Sequence, residues 1–400
     1  MLLRTRIDVG GRSIVKIMEV FNEVFENTLG GLPCANTIDL WMRKCGLDTY
    51  NSNASKIAGE SYCAMIDESM MIGSNKLFLT IAAPASHLGR PLTHSDVAVI
   101  GIDTKQSYNA QRVCDAVSAA CDKVGHAPEY VISDNASIMR KGISLAGYRR
   151  HADITHTLGM FLERTYKNDP EFVEYCKQMS NAQFQHNMKQ IAYIMPPRQR
   201  TIARFINMEP WTRWSLLTNE VFHTLGKEER KALLFVPGHA SLVDEVSEVM
   251  QCVRFVEDEC KSNGLSFSTA DKCIKHLQST IMQGNERMRK LSLAIIGFLR
   301  KETEWMKEEE VHNNSSDIIE SSFGIYKERK SPNKLYGVTS MVLMLPVYEK
   351  LSDEESARNY NFKEHLENVK TYSISTWSKN HLLENLVTKR LNTLSPAVGF

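Results

Sequence analysis

Three short apolar runs follow one another after Gly59: SYCAMID, KLFLTIAAP and DVAVIGID, separated by segments rich in Gly, Pro, Asn and Ser. Runs of this length between turn residues predict strands. Three strands in succession without crossover helices set the chain apart from a doubly wound dinucleotide-binding fold. Helical spacing then takes over from Tyr108 to Lys123, with Val113, Val117 and Val124 on one side. A fourth strand, EYVIS, ends on Asp134. A helix from Ala136 to Ala146 leads to RRHADIT, the fifth strand. The predicted class is α/β with a mixed sheet. Neither GxGxxG nor GxxxxGK[ST] occurs where strands meet helices, which disfavours a nucleotide cofactor.

Outside this block the pattern is helical. Residues 12–27 carry apolar residues at helical spacing, and a second helix is expected from Asn36 to Lys44, stopping before Gly46. The pair is either a small DNA-binding module, a helix-turn-helix remnant, or a helical cap on the core, because its charges nearly cancel. Strand signals vanish between Thr157 and His312, where EERKALLFV and RMRKLSLAIIGFLRKETEWMKEE read as helices. After EEEVHNNSSD, the segment IIESSFGIYKERK supplies a closing helix and GVTSMVLMLP its packing partner. The expected domains are therefore a helical N-terminal region over 1–57, a core of 58–156 with 313–350, a helical insertion over 157–312, and a polar tail over 351–400.

Composition narrows the setting. No apolar run approaches the roughly 18 residues that span a bilayer, so no membrane role is expected. With a formal charge of +1, DNA binding would require local basic patches. Nine cysteines without a CxxC pair, and no basic-then-apolar leader, predict reduced thiols, a cytoplasmic location and no structural zinc.

The candidate chemistry lies in carboxylates. Asp67 follows one strand-like run and Asp134 ends another, so side-by-side strands would bring both to one end of the sheet. Glu320 opens the closing helix. Three hard oxygen ligands with open coordination positions suit Mg2+ or Mn2+, and the lack of clustered Cys and His argues against zinc. Two such ions about 4 Å apart would activate a water or 3′-hydroxyl and stabilise the leaving oxygen of a phosphodiester. A strand-end aspartate taken alone is more often a solvated turn residue; the order and spacing carry the inference.

YCAMIDES, YVISDNASIMRKG and DIIESSFGIYKERK resemble the three acidic blocks of the DDE transposases of bacterial insertion sequences, in the same order. The resemblance spans about residues 59–346 and is loose over the first 50. It implies an RNase H-like core interrupted by an all-helical insertion. It also implies metal-dependent DNA cleavage and strand transfer with two Mg2+ or Mn2+ ions. The partners implied are the element's terminal repeats and target DNA, met by a homodimer or larger assembly in the bacterial cytosol or nucleoid.

Such transposases often carry a basic residue seven positions after the glutamate, and Lys327 stands there, two helical turns from Glu320 and on the same face. HADITH resembles a D-x-x-H element, giving Asp153 and His156 an accessory role, or else Asp153 caps a helix. In IMPPRQRTIARFINMEPWTRW, Arg198, Arg200, Arg204 and Arg213 would clamp phosphates. Trp211 and Trp214 would either stack on an unpaired base or pack in a core. Two other functions remain open: a nuclease or resolvase of the same fold, and a catalytically silent DNA-binding protein descended from a transposase. The short, weakly basic N-terminal region is also what a truncated or late-starting copy would have.

Overall fold

The computed structural model describes residues 1–197, 205 and 208–395, which form two compact units. The first comprises residues 1–87, 91–151 and those from Ser315 on; the second comprises 88–90 and 152–314. After a single helical turn at Leu2–Arg6 come helices α1 (Gly11–Val24) and α2 (Ala35–Ile57). Strands β1 (Tyr62–Glu68), β2 (Lys76–Pro84) and β3 (Ala98–Lys105) follow, then α3 (Ala110–Asp122), β4 (Val131–Ser133), α4 (Ser137–Leu145) and β5 (Arg150–Ala152). The second unit includes α5 (Ile154–Tyr166), α6 (Pro170–His186), α7 (Glu209–Val221), α8 (Ala240–Asn263), α9 (Phe267–Ser279) and α10 (Glu286–Thr303). The first unit resumes with α11 (Asp317–Arg329), α12 (Met344–Leu351) and α13 (Thr371–His381).

The strands form one five-stranded sheet in the order β3-β2-β1-β4-β5. β1, β2 and β3 form an antiparallel meander, as short adjacent connections permit, and β4 lies parallel to β1 after the α3 crossover. One face of the sheet is closed by α3 and α4. Tyr62, Ala64 and Ile66 of β1 join Phe78, Ala82, Ile100 and Val131 there. Against them pack Val113, Val117, Ala120 and Cys121 of α3 and Met139 and Ile143 of α4. Side chains alternate along a strand, so Asp67 lies on the other face.

Two helix ends differ from the sequence expectation. Helix α2 does not stop before Gly46 but runs on to Ile57. A Cβ at Gly46 would sit 1.9 Å from the Leu343 carbonyl oxygen. This glycine lets two backbones approach, whereas the sequence alone suggests a terminator. At the other misplaced end, α10 stops at Thr303 rather than continuing through residue 309. The Met306 N–H turns back onto the Thr303 carbonyl, and the Glu310 carboxylate takes the Lys307 N–H at 2.9 Å.

In the second unit, α5 to α10 surround an apolar core that includes Leu158, Leu162, Tyr175, Val249, Val253 and Leu299. Its described residues contribute only an isolated bridge, Leu265 with His312, to β structure.

One edge of the sheet is β3, the other β5, and an open edge is a template for unwanted pairing. A register irregularity between Thr80 and Ile81 disturbs the β2–β3 ladder opposite Val99. The Val99 N–H donates to Glu349 Oε2 at 2.9 Å, and its carbonyl accepts from Asn53 Nδ2 at 3.0 Å. Further along, Thr104 Oγ1 accepts from the Leu383 N–H at 2.7 Å and donates to the His381 carbonyl. Side chains from α2 and α12 thus cap the edge at Val99, and backbone at the end of α13 binds the Thr104 side chain beside it.

Glu349 is 1% exposed, and burial pushes its carboxyl up from the ordinary 4.5 to about 8. The folded chain therefore holds this proton more tightly than the unfolded one. Its contribution to stability is complete below the unfolded pKa and is lost as pH rises through about 8. Glu349→Gln keeps an acceptor for Val99 and removes the charge. Thermal melts should show the variant gaining about 2 kcal/mol or more at pH 8, with a flatter decline between pH 5 and 8, since each tenfold difference in proton affinity between the folded and unfolded chain is worth about 1.4 kcal/mol. Melting below wild type at pH 8 would contradict the assignment.

Candidate functional site

The parallel pairing of β1 with β4 matches Ala64 to Val131 and Met65 to Ile132. Continuing that register by two residues sets Asp67 beside Asp134, on strands about 4.8 Å apart. Alternation puts Asp67 on the face away from α3 and α4; Asp134 is the first residue after β4, and both are half-buried. Asp67 Oδ1 accepts the Glu68 N–H at 2.8 Å, and Asp134 Oδ1 accepts the Ala136 N–H at 3.0 Å, which fixes the turn into α4. Each aspartate is thereby tethered through one oxygen to its own backbone.

Arg150 holds the end of β4 in place. Its Nε donates to Ser133 Oγ at 2.8 Å, and its Nη2 donates to the Ser133 carbonyl and Asn135 Oδ1 at 3.1 Å and to the Asp134 carbonyl. Sequence reasoning missed this residue; the only local signal is a long cation within a strand otherwise closed by small and aromatic residues. Arg140 and Lys141, exposed on α4 just after Asp134, were also missed, although the MRKG run that carries them is plain.

Glu320 lies in the first turn of α11 and is half-buried. This helix packs against β1, the strand of Asp67, and against α12. Ile319, Ser322, Phe323 and Tyr326 form its buried face. Beside Glu320, Ser321 Oγ meets His94 Nε2 at 3.0 Å, and the His94 ring stands edge-on to Tyr348 at 4.9 Å. Burial pushes the His94 pKa down to about 4, so this contact involves a neutral ring at ordinary pH. The Tyr326 hydroxyl accepts the Thr339 N–H, and Arg329 Nε pairs with Asp8 at 2.7 Å. Lys327 is exposed, its ammonium 5.8 Å from the Phe323 ring centre.

Among the described residues, no three His, Cys, Asp or Glu side chains are grouped closely enough to hold a metal ion. Asp67 is in β1 and Asp134 directly follows β4, its parallel neighbour, while the helix of Glu320 packs against β1. The donors so placed are hard oxygens, suited to Mg2+ or Mn2+.

The remaining candidates belong to the second unit. Asp153 is the N-cap of α5, fully buried, its Oδ1 accepting the His156 N–H at 2.7 Å. The capping geometry is therefore present, and the His156 side chain is exposed. Arg198, Arg200 and Arg204 lie outside the described residues. Arg213 is exposed on α7.

Of the two alternatives for the tryptophans, core packing describes Trp211, and Trp214 is partly buried against the same core. Trp211 is 5% exposed, its ring 5.8 Å from Phe172 and 5.7 Å from Tyr175. Trp214 packs against the same core and donates from Nε1 to the Ile194 carbonyl at 3.0 Å. Both indoles serve the apolar interior, which leaves the Trp211 ring no open face for a base.

Among the described residues no helix is long and apolar enough to cross a membrane. No family model matches the chain, and no curated protein matches it.

Proposed function

We propose that this chain is a DDE-type transposase, built on an RNase H-like core, that cuts DNA at the ends of an insertion sequence and joins those ends to a target. One observation carries the reading: β1 and β4 pair in parallel, Ala64 with Val131 and Met65 with Ile132, and the same register, carried two residues past those pairs, would set Asp67 beside Asp134. The sheet order β3-β2-β1-β4-β5, with β2 antiparallel to both neighbours, supports the core assignment. So does the return of the chain, after a helical unit, in a helix that packs against β1 and bears Glu320.

In this reading the Asp67 and Asp134 carboxylates would hold divalent cations and Glu320 would complete their ligand set. When bound, two Mg2+ or Mn2+ ions supply an activated water or 3′-hydroxyl and a stabilised leaving oxygen. The chain's own residues do the positioning. Arg150 fixes the end of β4 and so the backbone of Asp134. His94, through Ser321, fixes the first turns of α11. Lys327, Arg140 and Lys141 would take DNA phosphates in the first unit, and Arg213, on the second unit by itself, would be a separate phosphate contact. The DNA partners are the element's terminal repeats and its target, handled by a dimer or larger assembly on paired ends in the bacterial cytosol. Asp153 and His156 take an accessory part.

The alternatives are a nuclease or resolvase of the same fold and a silent DNA-binding relative. One assay separates them. Duplexes carrying the cognate ends with free 3′-hydroxyls are incubated with supercoiled plasmid and Mg2+ or Mn2+. Covalent end–plasmid joints that vanish in EDTA are the expected result. Nicking without joints would make the protein a nuclease or resolvase, and DNA binding alone would make it silent.

A further inference from the structure

Helix α1 turns an apolar stripe toward solvent. Ile17, Val20, Phe21 and Val24 share one helical face by their spacing of three, four and seven. Phe25 and Leu29 carry the stripe beyond the helix end, and these six side chains are between 42% and 66% exposed. Only Ile14 of the helix is buried, where α1 packs on α2. Isolated surface apolar residues are ordinary, but a contiguous stripe of six marks a surface that another body covers.

The charges of the same helix say which body. Arg12 and Lys16 lie in its N-terminal half, and Glu19 and Glu23 in its C-terminal half, all exposed. Lys16 and Glu23 are seven residues apart and so lie on the same flank of the stripe. In an antiparallel pair of identical helices, equal flanks face each other with sequence direction reversed. Ile17 then meets Val24 of the partner subunit, and Lys16 lies beside the partner subunit's Glu23. A parallel pair would bring no such match, because it sets equal halves side by side.

We propose that two copies of this chain associate through α1, antiparallel about a two-fold axis near Val20 and Phe21. Such an isologous contact closes on itself and ends at the dimer. A 14-residue helix is about 21 Å long and offers less than the roughly 800 Å² per partner of a standard interface, so the contact belongs to the small, reversible class. The proposal does not depend on the transposase reading, and its test involves neither DNA nor metal.

Sedimentation of the full chain at concentrations from about 1 to 100 µM, which bracket a micromolar Kd, should show a monomer–dimer equilibrium. Phe21→Glu/Val24→Glu changes only exposed positions; with its thermal melt unchanged, it should sediment as monomer, a loss of at least about tenfold in affinity. Lys16→Glu should weaken the dimer, and Lys16→Glu/Glu23→Lys should restore it. A wild type that stays monomeric, a dimer indifferent to Phe21→Glu/Val24→Glu, or a double charge variant weaker than Lys16→Glu would each overturn the proposal.

Discussion

Asp67→Asn is expected to lower Mg2+-dependent nicking and end joining by about a thousandfold, the equivalent of roughly 4 kcal/mol of transition-state stabilisation, while DNA binding stays within a few-fold of wild type. The asparagine keeps its size and the Oδ1 acceptor for the Glu68 N–H, so the end of β1 is preserved. What it loses is the charge that would hold a hard cation. Removing a negative charge beside DNA does not weaken phosphate binding, and the salt dependence of affinity should be unchanged or slightly steeper. Asp134→Asn should behave in the same way. The control is the neighbouring Glu68, which alternation places on the opposite face and which pairs with Lys76 at 2.5 Å; Glu68→Gln should leave cleavage within about threefold, since exposed or half-exposed pairs contribute little. Full cleavage by Asp67→Asn would sink the metal assignment.

Gly46→Val should cost more than about 3 kcal/mol of stability and give little folded protein, by differential scanning fluorimetry and yield. The obstacle is backbone: the added Cβ would lie 1.9 Å from the Leu343 oxygen and 2.6 Å from its carbonyl carbon. Neither atom is the tip of a flexible side chain, so α2 and the 340–343 turn would have to separate. Gly46→Ala meets the same Cβ contact, against which its better helix propensity returns only about 1 kcal/mol. Gly31, where a Cβ has nothing within 4 Å, is the matched control; Gly31→Ala should shift stability by less than about 0.5 kcal/mol. A Gly46→Ala protein as stable as wild type would show that α2 can move away from Leu343 at no cost.

Gly46 also marks the boundary of what the sequence makes legible. A glycine after a helical run signals termination when read locally, yet its partner here is almost three hundred positions away. The strands were legible because their signal is local: apolar runs between turn residues give β1, β2 and β3 to within about two residues. The helix of Glu320 was legible for the same reason. Burial of Trp211 was not, because its spacing with Trp214 and Arg213 is shared by a core stripe and a nucleic-acid face, and only the position of Phe172 and Tyr175 decides between them. The carboxylates fall between these cases. Alternation fixes the face of Asp67, but its pairing with Asp134 depends on β4 choosing β1 as neighbour, a long-range event. Arg150 and His94 act on groups brought near by the fold, and nothing in their flanking residues announces it.

The sealed edge of β3 has a consequence for synthesis. Asn53 is made before the strand it caps, but Glu349 and the Leu383 backbone emerge only after the whole second unit. At roughly 5–20 residues per second, the nascent sheet spends on the order of tens of seconds on the ribosome with the Val99 N–H uncapped. A stalled or prematurely ended chain would keep that strand open for good, as a seed for intermolecular pairing. Full-length completion, through residues remote from any acidic group of the site, is thus what protects this protein from its own sheet.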